Sequence, residues 1–439
     1  MGYRQALSFL LAAGLASAAN SESEDVLKRV AAKVTASLDS IQSYTCVETI
    51  QRDYYRPRAA TLPRDCPVLL KQRQHPTFDM ALLLWARDRL RLEVATSRRG
   101  EINSWPGASR FSDSGIDKLV RVGPIGTGAF GALLSVIFVS DVRKFGTAGE
   151  ATVDGRRCFI YSFAVPASAS HFRMRSQDDS SWLVIGYEGL LYVDAQTADP
   201  VQLTVVTNDL PPAAGTCQTG SSLHFSRAAV DGHDLFLPTM ASQQFVATNG
   251  SETRNTTTFS NCRQYFSEST ITYYEASDDA AYDKPAASQA PPPDIPEWLP
   301  FSMELLTPLD SDTTAAGDRF FARLASPLRD GKRQIAPKGA LIEGRVSQVE
   351  LEFHSARTTF GLTPESIQIR GKKVPFAARL DLAPQIVALQ ERKRKGLQFF
   401  LPPPGEYAHY FSLAGTHALL PKGFLSQWLT AIPRGSRQP

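Results

Sequence analysis

Long apolar runs are scarce in this sequence, and the clearest one lies at the N-terminus. Arg4 precedes an apolar run from Ala6 to Ala16, and the small-residue segment Ala16-Ser17-Ala18 follows. This three-part order is typical of a secretory signal peptide. The run is shorter than the roughly 20 residues that span a bilayer, although an N-terminal anchor is the alternative. We predict a signal peptide over residues 1–19 and an exported, periplasmic or extracellular mature chain without a transmembrane span.

Cysteine is also sparse, with five residues in 439. No pair has the CxxC spacing, which argues against a zinc ribbon or a thioredoxin-type site. Export permits disulfides, and an odd count leaves one thiol unpaired. We predict that Cys46 pairs with Cys66 and Cys217 with Cys262. Cys158 lies in an apolar strand pattern and is expected to be a buried free thiol.

Motifs for catalysis and for metal binding are missing. No histidine pair has HExxH or another ligand spacing, and no serine lies in a GxSxG elbow. The paired acids Asp178-Asp179 and Asp278-Asp279 stand in polar stretches typical of solvated loops. We therefore predict no catalytic residues, no cofactor and no metal ligands. A metal site built from residues distant in sequence stays open. The histidines are His75, His171, His224, His233, His354, His409 and His417.

One glycine motif does occur, from Gly126 to Gly131, with the formal spacing GxGxxG. In a dinucleotide-binding fold such glycines let backbone amides approach a pyrophosphate at a helix start. Here the following apolar stretch, Gly131 to Phe138, is short, and no βαβ alternation surrounds it. We predict that the glycines shape a loop and a short helix that close a β-sheet cavity.

The remaining pattern predicts a mainly β protein of two domains. Val26, Val30, Val34 and Leu38 recur every four residues after an acidic start, which predicts an amphipathic helix. Alternating runs joined by tight turns follow from Tyr44 to about Tyr274, which indicates one large antiparallel sheet. The predicted boundaries are 20–277 for this domain, 278–298 for a Pro/Ala-rich linker, 299–433 for a C-terminal β domain and 434–439 for a disordered tail.

The C-terminal region contains Pro-Lys-Gly twice, at Pro337-Lys338-Gly339 and Pro421-Lys422-Gly423. With proline second and glycine fourth, each suits a type I turn. Two such turns before apolar runs suggest a small barrel or sandwich.

Charge is divided unevenly along the chain. From Phe301 onward there are 19 Lys/Arg against 12 Asp/Glu, whereas acids exceed bases in the remainder. A basic domain can favour an anionic membrane surface or an acidic partner, but a solvated surface is the expectation. The basic run Arg392 to Lys395 is likewise interpreted as a solvated turn, with phosphate binding as the alternative. We expect no nucleic-acid partner.

The N-terminal region resembles the superfamily of outer-membrane lipoprotein carriers (LolA/LolB-like) and related periplasmic sensors. The resemblance lies in Ser43 to Thr49, then Gly186 to Asp194 with Pro200-Val201-Gln202-Leu203, and then Phe259 to Tyr265. It implies an unclosed antiparallel β-barrel with helices that plug an apolar cavity for acyl chains. The family is not enzymatic, so no catalytic residues follow from it.

The C-terminal region is faintly similar to the β-barrel of type IV secretion channel proteins, over Gly317 to Ala322 and Ile335 to Gly344. This likeness implies a fold and no function.

Three hypotheses follow. The first is a non-catalytic envelope protein that binds a lipid or another apolar ligand in the half-open barrel. The second is an envelope assembly or surface-interaction protein with a protein partner and no small ligand. The third is an exported hydrolase with a dispersed site, ranked last because no nucleophile, base or metal constellation is visible.

Overall fold

The structure is a computed structural model of the chain. It describes residues 21–38, 44–58, 65–75, 82–97, 100–108, 111, 116–120, 123–142, 144–176, 181–207, 210–230, 232–264, 295–381 and 409–432. The chain divides into two compact units. The N-terminal unit comprises residues 1–264 with 352–354, and the C-terminal unit comprises the rest.

The N-terminal unit contains twelve of the described strands. They are β1 (Tyr44–Pro57), β2 (Leu82–Ser97), β3 (Gly100–Ser104), β4 (Gly146–Val153), β5 (Arg156–Val165), β6 (Arg173–Arg175), β7 (Trp182–Val184), β8 (Tyr187–Asp194), β9 (Pro200–Thr207), β10 (Thr216–Val230), β11 (His233–Ala247) and β12 (Glu252–Gln264). Apart from the small β6–β7 pair, they form one antiparallel sheet in the order β4-β5-β8-β9-β10-β11-β12-β1-β2-β3. The sheet is not closed into a barrel, as predicted.

Alternation along the strands gives this sheet two different faces. In β8, Leu191 and Val193 are fully buried while Leu190 and Tyr192 are only half-buried. Since successive side chains point to opposite sides, residues of odd number in β8 share one face. We call this the inner face, because the helix described next packs against it.

The predicted N-terminal helix is present, and its described part, α1, covers residues 21–38. Three shorter helices are α2 (Cys66–Arg73), α3 (Ile116–Leu119) and α4 (Ala132–Ser135), and a π-helical turn continues α4 over Val136–Asp141. Single 3₁₀ turns occupy Ala167–Ala169 and Pro212–Ala214. Among the described residues no helix has both the length and the hydropathy needed to cross a bilayer.

The predicted disulfide pairing is wrong. Cys46 is bonded to Cys262 and Cys66 to Cys217, across 216 and 151 residues of sequence. β1 and β12 are antiparallel neighbours, and an irregularity in their register brings Cys46 to Cys262. Cys66 starts α2, which packs against the beginning of β10 where Cys217 lies. Pairing by proximity in sequence fails because β1 pairs with β12, which lies far along the chain, and because α2 packs against β10, which is also distant in sequence. Cys158 is a buried free thiol.

The C-terminal unit contains the remaining described strands. They are β13 (Pro300–Leu305), β14 (Leu309–Asp310), β15 (Arg319–Leu324), β16 (Leu328–Asp330), β17 (Arg333–Ala336), β18 (Leu341–Glu352), β19 (Arg357–Ile369), β20 (Lys372–Pro375), β21 (Ala377–Leu380), β22 (Tyr410–Ala414), β23 (Leu419–Leu420) and β24 (Leu425–Ala431). One antiparallel run has the order β18-β15-β13-β24-β21 and another the order β22-β19-β20. Phe320, Phe360 and Trp428 are fully buried.

Both Pro-Lys-Gly elements form turns, one residue later than predicted. The amide of Ala340 donates to the carbonyl of Pro337 at 3.2 Å, and that of Phe424 to Pro421 at 3.1 Å. Proline is therefore first and glycine third. Gly339 and Gly423 have φ of 84° and 90°. Positive φ at the third position suits a type II turn rather than type I.

Several predicted segments lie outside the described residues. They are the signal peptide 1–19, the Asp178-Asp179 pair, residues 278–294 of the linker with Asp278-Asp279, the basic run 392–395 and the tail 434–439.

Candidate functional site

The inner face of the N-terminal sheet is apolar, and α1 covers part of it. Val26, Val30 and Val34 are 1, 0 and 2% exposed. They belong to one cluster with inner-face side chains of β5, β8, β9 and β10, namely Phe159, Tyr161, Phe163, Leu191, Val193, Leu203, Val205, Leu223 and Phe225. Each buried valine contributes about 1.5 kcal/mol or more. The four-residue spacing therefore positions α1 on the sheet.

Polar contacts hold α1 at both ends. The hydroxyl of Tyr161 donates to the carbonyl of Ser23 at 2.6 Å in a buried contact. Near the other end, Lys33 Nζ lies 2.6 Å from Asp199 Oδ1, and Arg227 donates from Nε to Asp199 Oδ2 at 2.8 Å. Burial raises the pKa of Asp199, but Arg227 and Lys33 outweigh it and hold the pKa below its usual value. The helix is thus tied to two different parts of the sheet.

A second segment, residues 123–142, covers more of the inner face, and we call it the plug. It contains the glycine motif, α4 and the π-helical turn. Leu133, Leu134 and Ile137 are buried in the same cluster as the valines of α1. The helical stretch predicted after the glycines is therefore present, and it packs on the sheet as a cover.

The carboxylate of a half-buried glutamate on β3 holds the N-terminal part of the plug. Glu101 Oε2 accepts the amide of Gly128 at 2.6 Å, and Oε1 accepts those of Phe130 at 2.6 Å, Gly131 at 3.1 Å and Ala132 at 3.4 Å. Gly128 has a φ of 106°, which favours glycine. These amides, which a pyrophosphate would need, are already bound by a side chain of the same chain. The glycine motif thus closes the loop onto the sheet.

A second carboxyl group, Glu48 on β1, lies close to Glu101. Burial raises the pKa of Glu48 to about 8, and the charge of Glu101 adds to this shift, while a hydrogen bond from Asn103 opposes it. That bond runs from Nδ2 of Asn103 to Oε1 of Glu48 at 2.8 Å. Burial also raises the pKa of Glu101, against the lowering effect of the four amides. Burial and the charge of Glu101 therefore keep a proton on Glu48 at neutral pH.

The C-terminal end of the plug is held by a second carboxylate, that of the buried Asp141. Its Oδ2 accepts the Tyr187 hydroxyl at 2.8 Å and the His171 amide at 2.9 Å, and its Oδ1 lies 2.5 Å from Nδ1 of His171. Burial, and then Asp141 itself, raises the pKa of Tyr187. The plug is therefore fixed by carboxylates at both ends and packs through apolar side chains between them.

A small cleft lies between α1, the plug and the strands β9 to β11. Its lining is apolar except for one serine and consists of Val34, Ser37, Leu38, Phe130, Gly131, Leu134, Pro200, Phe225, Phe236 and Pro238. Its volume is about 10 Å³, which is about the room of one water molecule. Arg227 stacks over Phe236, with its guanidinium 4.5 Å from the ring centre, and thereby joins the α1 contacts to this cleft.

Sequence reasoning did not find the polar residues of this site. Glu48, Glu101, Asn103 and Asp141 stand in no motif, and only the strand pairing brings the first three together. The predicted glycine motif supplies the backbone amides that donate to Glu101. Of the histidines, the structure places His171 beside Asp141 and brings His417 to Asp310 and Asp312.

No family model matches the sequence, and no curated protein matches it. Among solved structures, the chain is similar to a putative outer membrane lipoprotein-sorting protein domain from Vibrio parahaemolyticus, with 11% identity and a TM-score of 0.26 over 54% of this chain and 91% of that chain. It is also similar to a DUF1329 family protein from Desulfovibrio piger ATCC 29098, with 12% identity and a TM-score of 0.27 over 55% and 94%.

A third similar structure is ComB10 of the Com type IV secretion system of Helicobacter pylori. The identity is 12% and the TM-score 0.17, over 32% of this chain and 92% of that chain. These structures match the two resemblances stated from the sequence.

Proposed function

We propose that this chain is a non-catalytic exported protein of the bacterial envelope that holds an acyl chain or another apolar group against the inner face of its N-terminal sheet. The observation that carries the proposal is the way this face is covered. Two segments that are not strands, α1 and the plug, cover it with apolar side chains, and polar contacts fasten each segment near its ends.

A ligand can replace such a cover with little net loss of buried apolar surface. In the described conformation the cleft has room for about one water, so an acyl chain enters only when the plug moves. A buried chain gains about 0.8 kcal/mol per CH₂ group, and this gain replaces the burial lost by Leu133, Leu134 and Ile137. The remaining cost is the release of the amides from Glu101. The nearby carboxyl of Glu48, whose pKa is raised by burial and by Glu101, makes the closed arrangement less favourable.

The two disulfides support export, because such bonds persist in oxidising compartments. The N-terminal sequence pattern predicts the same destination.

A fluorescent apolar probe tests the proposal. N-phenyl-1-naphthylamine is titrated into the chain lacking residues 1–19, and a fatty acid then competes for the probe. We expect saturable binding that Leu38→Trp, which fills the cleft, weakens at least about tenfold, the equivalent of 1.4 kcal/mol. Leu425→Trp is the control, since Leu425 is 60% exposed in the C-terminal unit. Equal binding by both variants, or no saturable binding, contradicts the proposal.

A further inference from the structure

Two loops of the C-terminal unit bring three potential metal ligands together. Asp310 ends β14, which pairs with β23, and Asp312 follows it in the next turn. His417 precedes β23. Its Nε2 lies 3.4 Å from Oδ1 of Asp310 and 3.6 Å from Oδ2 of Asp312, and the three ligand atoms lie within 4.8 Å of one another.

These distances are too long for hydrogen bonds from the imidazole but suit ligands that share a cation. An N–H···O bond is about 2.7–3.2 Å long. Ligand atoms at about 2.1 Å from a tetrahedral zinc ion lie about 3.4 Å apart. Among the described residues, the two carboxylates are the only polar partners of the His417 ring. Nε2 of His417 therefore lies about as far from each carboxylate oxygen as two ligand atoms of one tetrahedral metal ion lie from each other.

The backbone fixes this arrangement from both loops. The amide of Ser311 donates to the carbonyl of Ala418 at 3.0 Å, and the amide of Ala418 donates to Oγ of Ser311 at 3.1 Å. The amide of Asp312 donates to Oδ1 of Asp310 at 2.8 Å, which orients that carboxylate. The loop of His417 is anchored at its start, where Gly415 donates to the carbonyl of Ala356 at 2.6 Å. The main chain that carries ligands from two segments about 100 residues apart is thus fixed, while the side chains of His417 and Asp312 are 59% and 63% exposed.

We propose that Asp310, Asp312 and His417 bind one divalent transition-metal cation, with zinc as the reference ion. An imidazole with two carboxylates suits zinc and its neighbours, whereas calcium and magnesium prefer oxygen ligands. Three protein ligands leave a coordination position for water or for a group of another molecule. The site lies in the C-terminal unit and does not depend on apolar binding by the N-terminal unit. It is the distant-residue arrangement that sequence spacing leaves open.

Isothermal titration of the EDTA-treated, tag-free chain with zinc chloride tests this site. We expect one zinc ion per chain, and a dissociation constant raised at least about tenfold by His417→Asn and by Asp312→Asn. His75→Asn is the matched control, because His75 is exposed in the N-terminal unit. Far-ultraviolet circular dichroism verifies that each variant is folded.

Cobalt(II) provides the second measurement. The native chain is expected to give the visible absorption of a tetrahedral or five-coordinate site, and His417→Asn to lose it. Zinc binding weaker than about 1 mM, or equal affinity in the His417→Asn and His75→Asn variants, overturns the proposal.

Discussion

The amide of Phe130 donates to Oε1 of Glu101 at 2.6 Å, and this bond joins the plug to the edge strand of the sheet. Three neighbouring amides bind the same carboxylate. In Glu101→Gln an NH₂ group replaces one acceptor oxygen and faces an amide donor. We expect a loss of about 2–3 kcal/mol in the free energy of unfolding, measured by urea denaturation.

The control for this variant is Glu150→Gln. Glu150 pairs with Arg157 on the surface, where both side chains are more than 40% exposed. Such a pair contributes about 0–1 kcal/mol, so this variant should unfold close to the native chain. Equal unfolding curves for the two variants would show that Glu101 does not hold the plug.

The raised pKa values of Glu48 and Glu101 predict a pH dependence of stability. Below pH 4.5 both the folded and the unfolded chain keep the proton of Glu48, and between 4.5 and about 8 only the folded chain does. The free energy of unfolding therefore falls as pH rises through this window, by up to about 1.4 kcal/mol per pH unit for one group. Glu101, whose pKa is also raised, acts in the same direction.

Replacement of Glu48 by Gln should remove its share of this slope. The amide is neutral at every pH, and its carbonyl can still accept the bond from Asn103. Urea unfolding at pH 5, 6, 7 and 8 measures the slope for the native chain and for the variant. A slope that is unchanged in Glu48→Gln would contradict the raised pKa.

The contact between Tyr187 and Asp141 predicts a difference between two tyrosines of β8. Tyr187 points to the inner face and donates to the buried Asp141, whereas Tyr192 points to the other face. Tyr187→Phe removes the hydroxyl that donates to the Asp141 carboxylate and should lower the free energy of unfolding by about 1.5–3 kcal/mol. Tyr192→Phe should cost less than about 0.5 kcal/mol. The thermal unfolding temperatures of the two variants compare these costs, and similar temperatures would argue against the Asp141 anchor.

Peptide mapping under non-reducing conditions tests the disulfides. We expect linked peptides that contain Cys46 with Cys262 and Cys66 with Cys217, and one thiol, Cys158, that reacts only after denaturation. Cys217→Ser should lower stability by about 2–5 kcal/mol, because the bond closes a long loop. A peptide linking Cys46 to Cys66 would refute the strand order around β1.

Local patterns in the sequence predicted the elements but not their long-range neighbours. The spacing of Val26, Val30 and Val34 identified α1, and alternation identified the sheet, because both signals come from residues close in the chain. The α2 helix was missed, since only Leu69 of its eight residues is buried and no apolar period marks it. The Cys46–Cys262 bond depends on the pairing of β1 with β12, and the Cys66–Cys217 bond depends on the packing of α2 against β10. The Glu48–Glu101 pair depends on the register of β1, β2 and β3, and short-range patterns encode none of these.

Hydrogen–deuterium exchange of the plug tests the central claim most directly. The amides of Phe130, Gly131 and Ala132 are measured with and without a saturating fatty acid, and the amides of β13 in the C-terminal unit serve as the reference. An acyl chain that displaces the plug releases these amides from Glu101, so their exchange should become faster while the reference stays constant. Exchange that is unchanged or slower at saturation would contradict ligand binding beneath the plug.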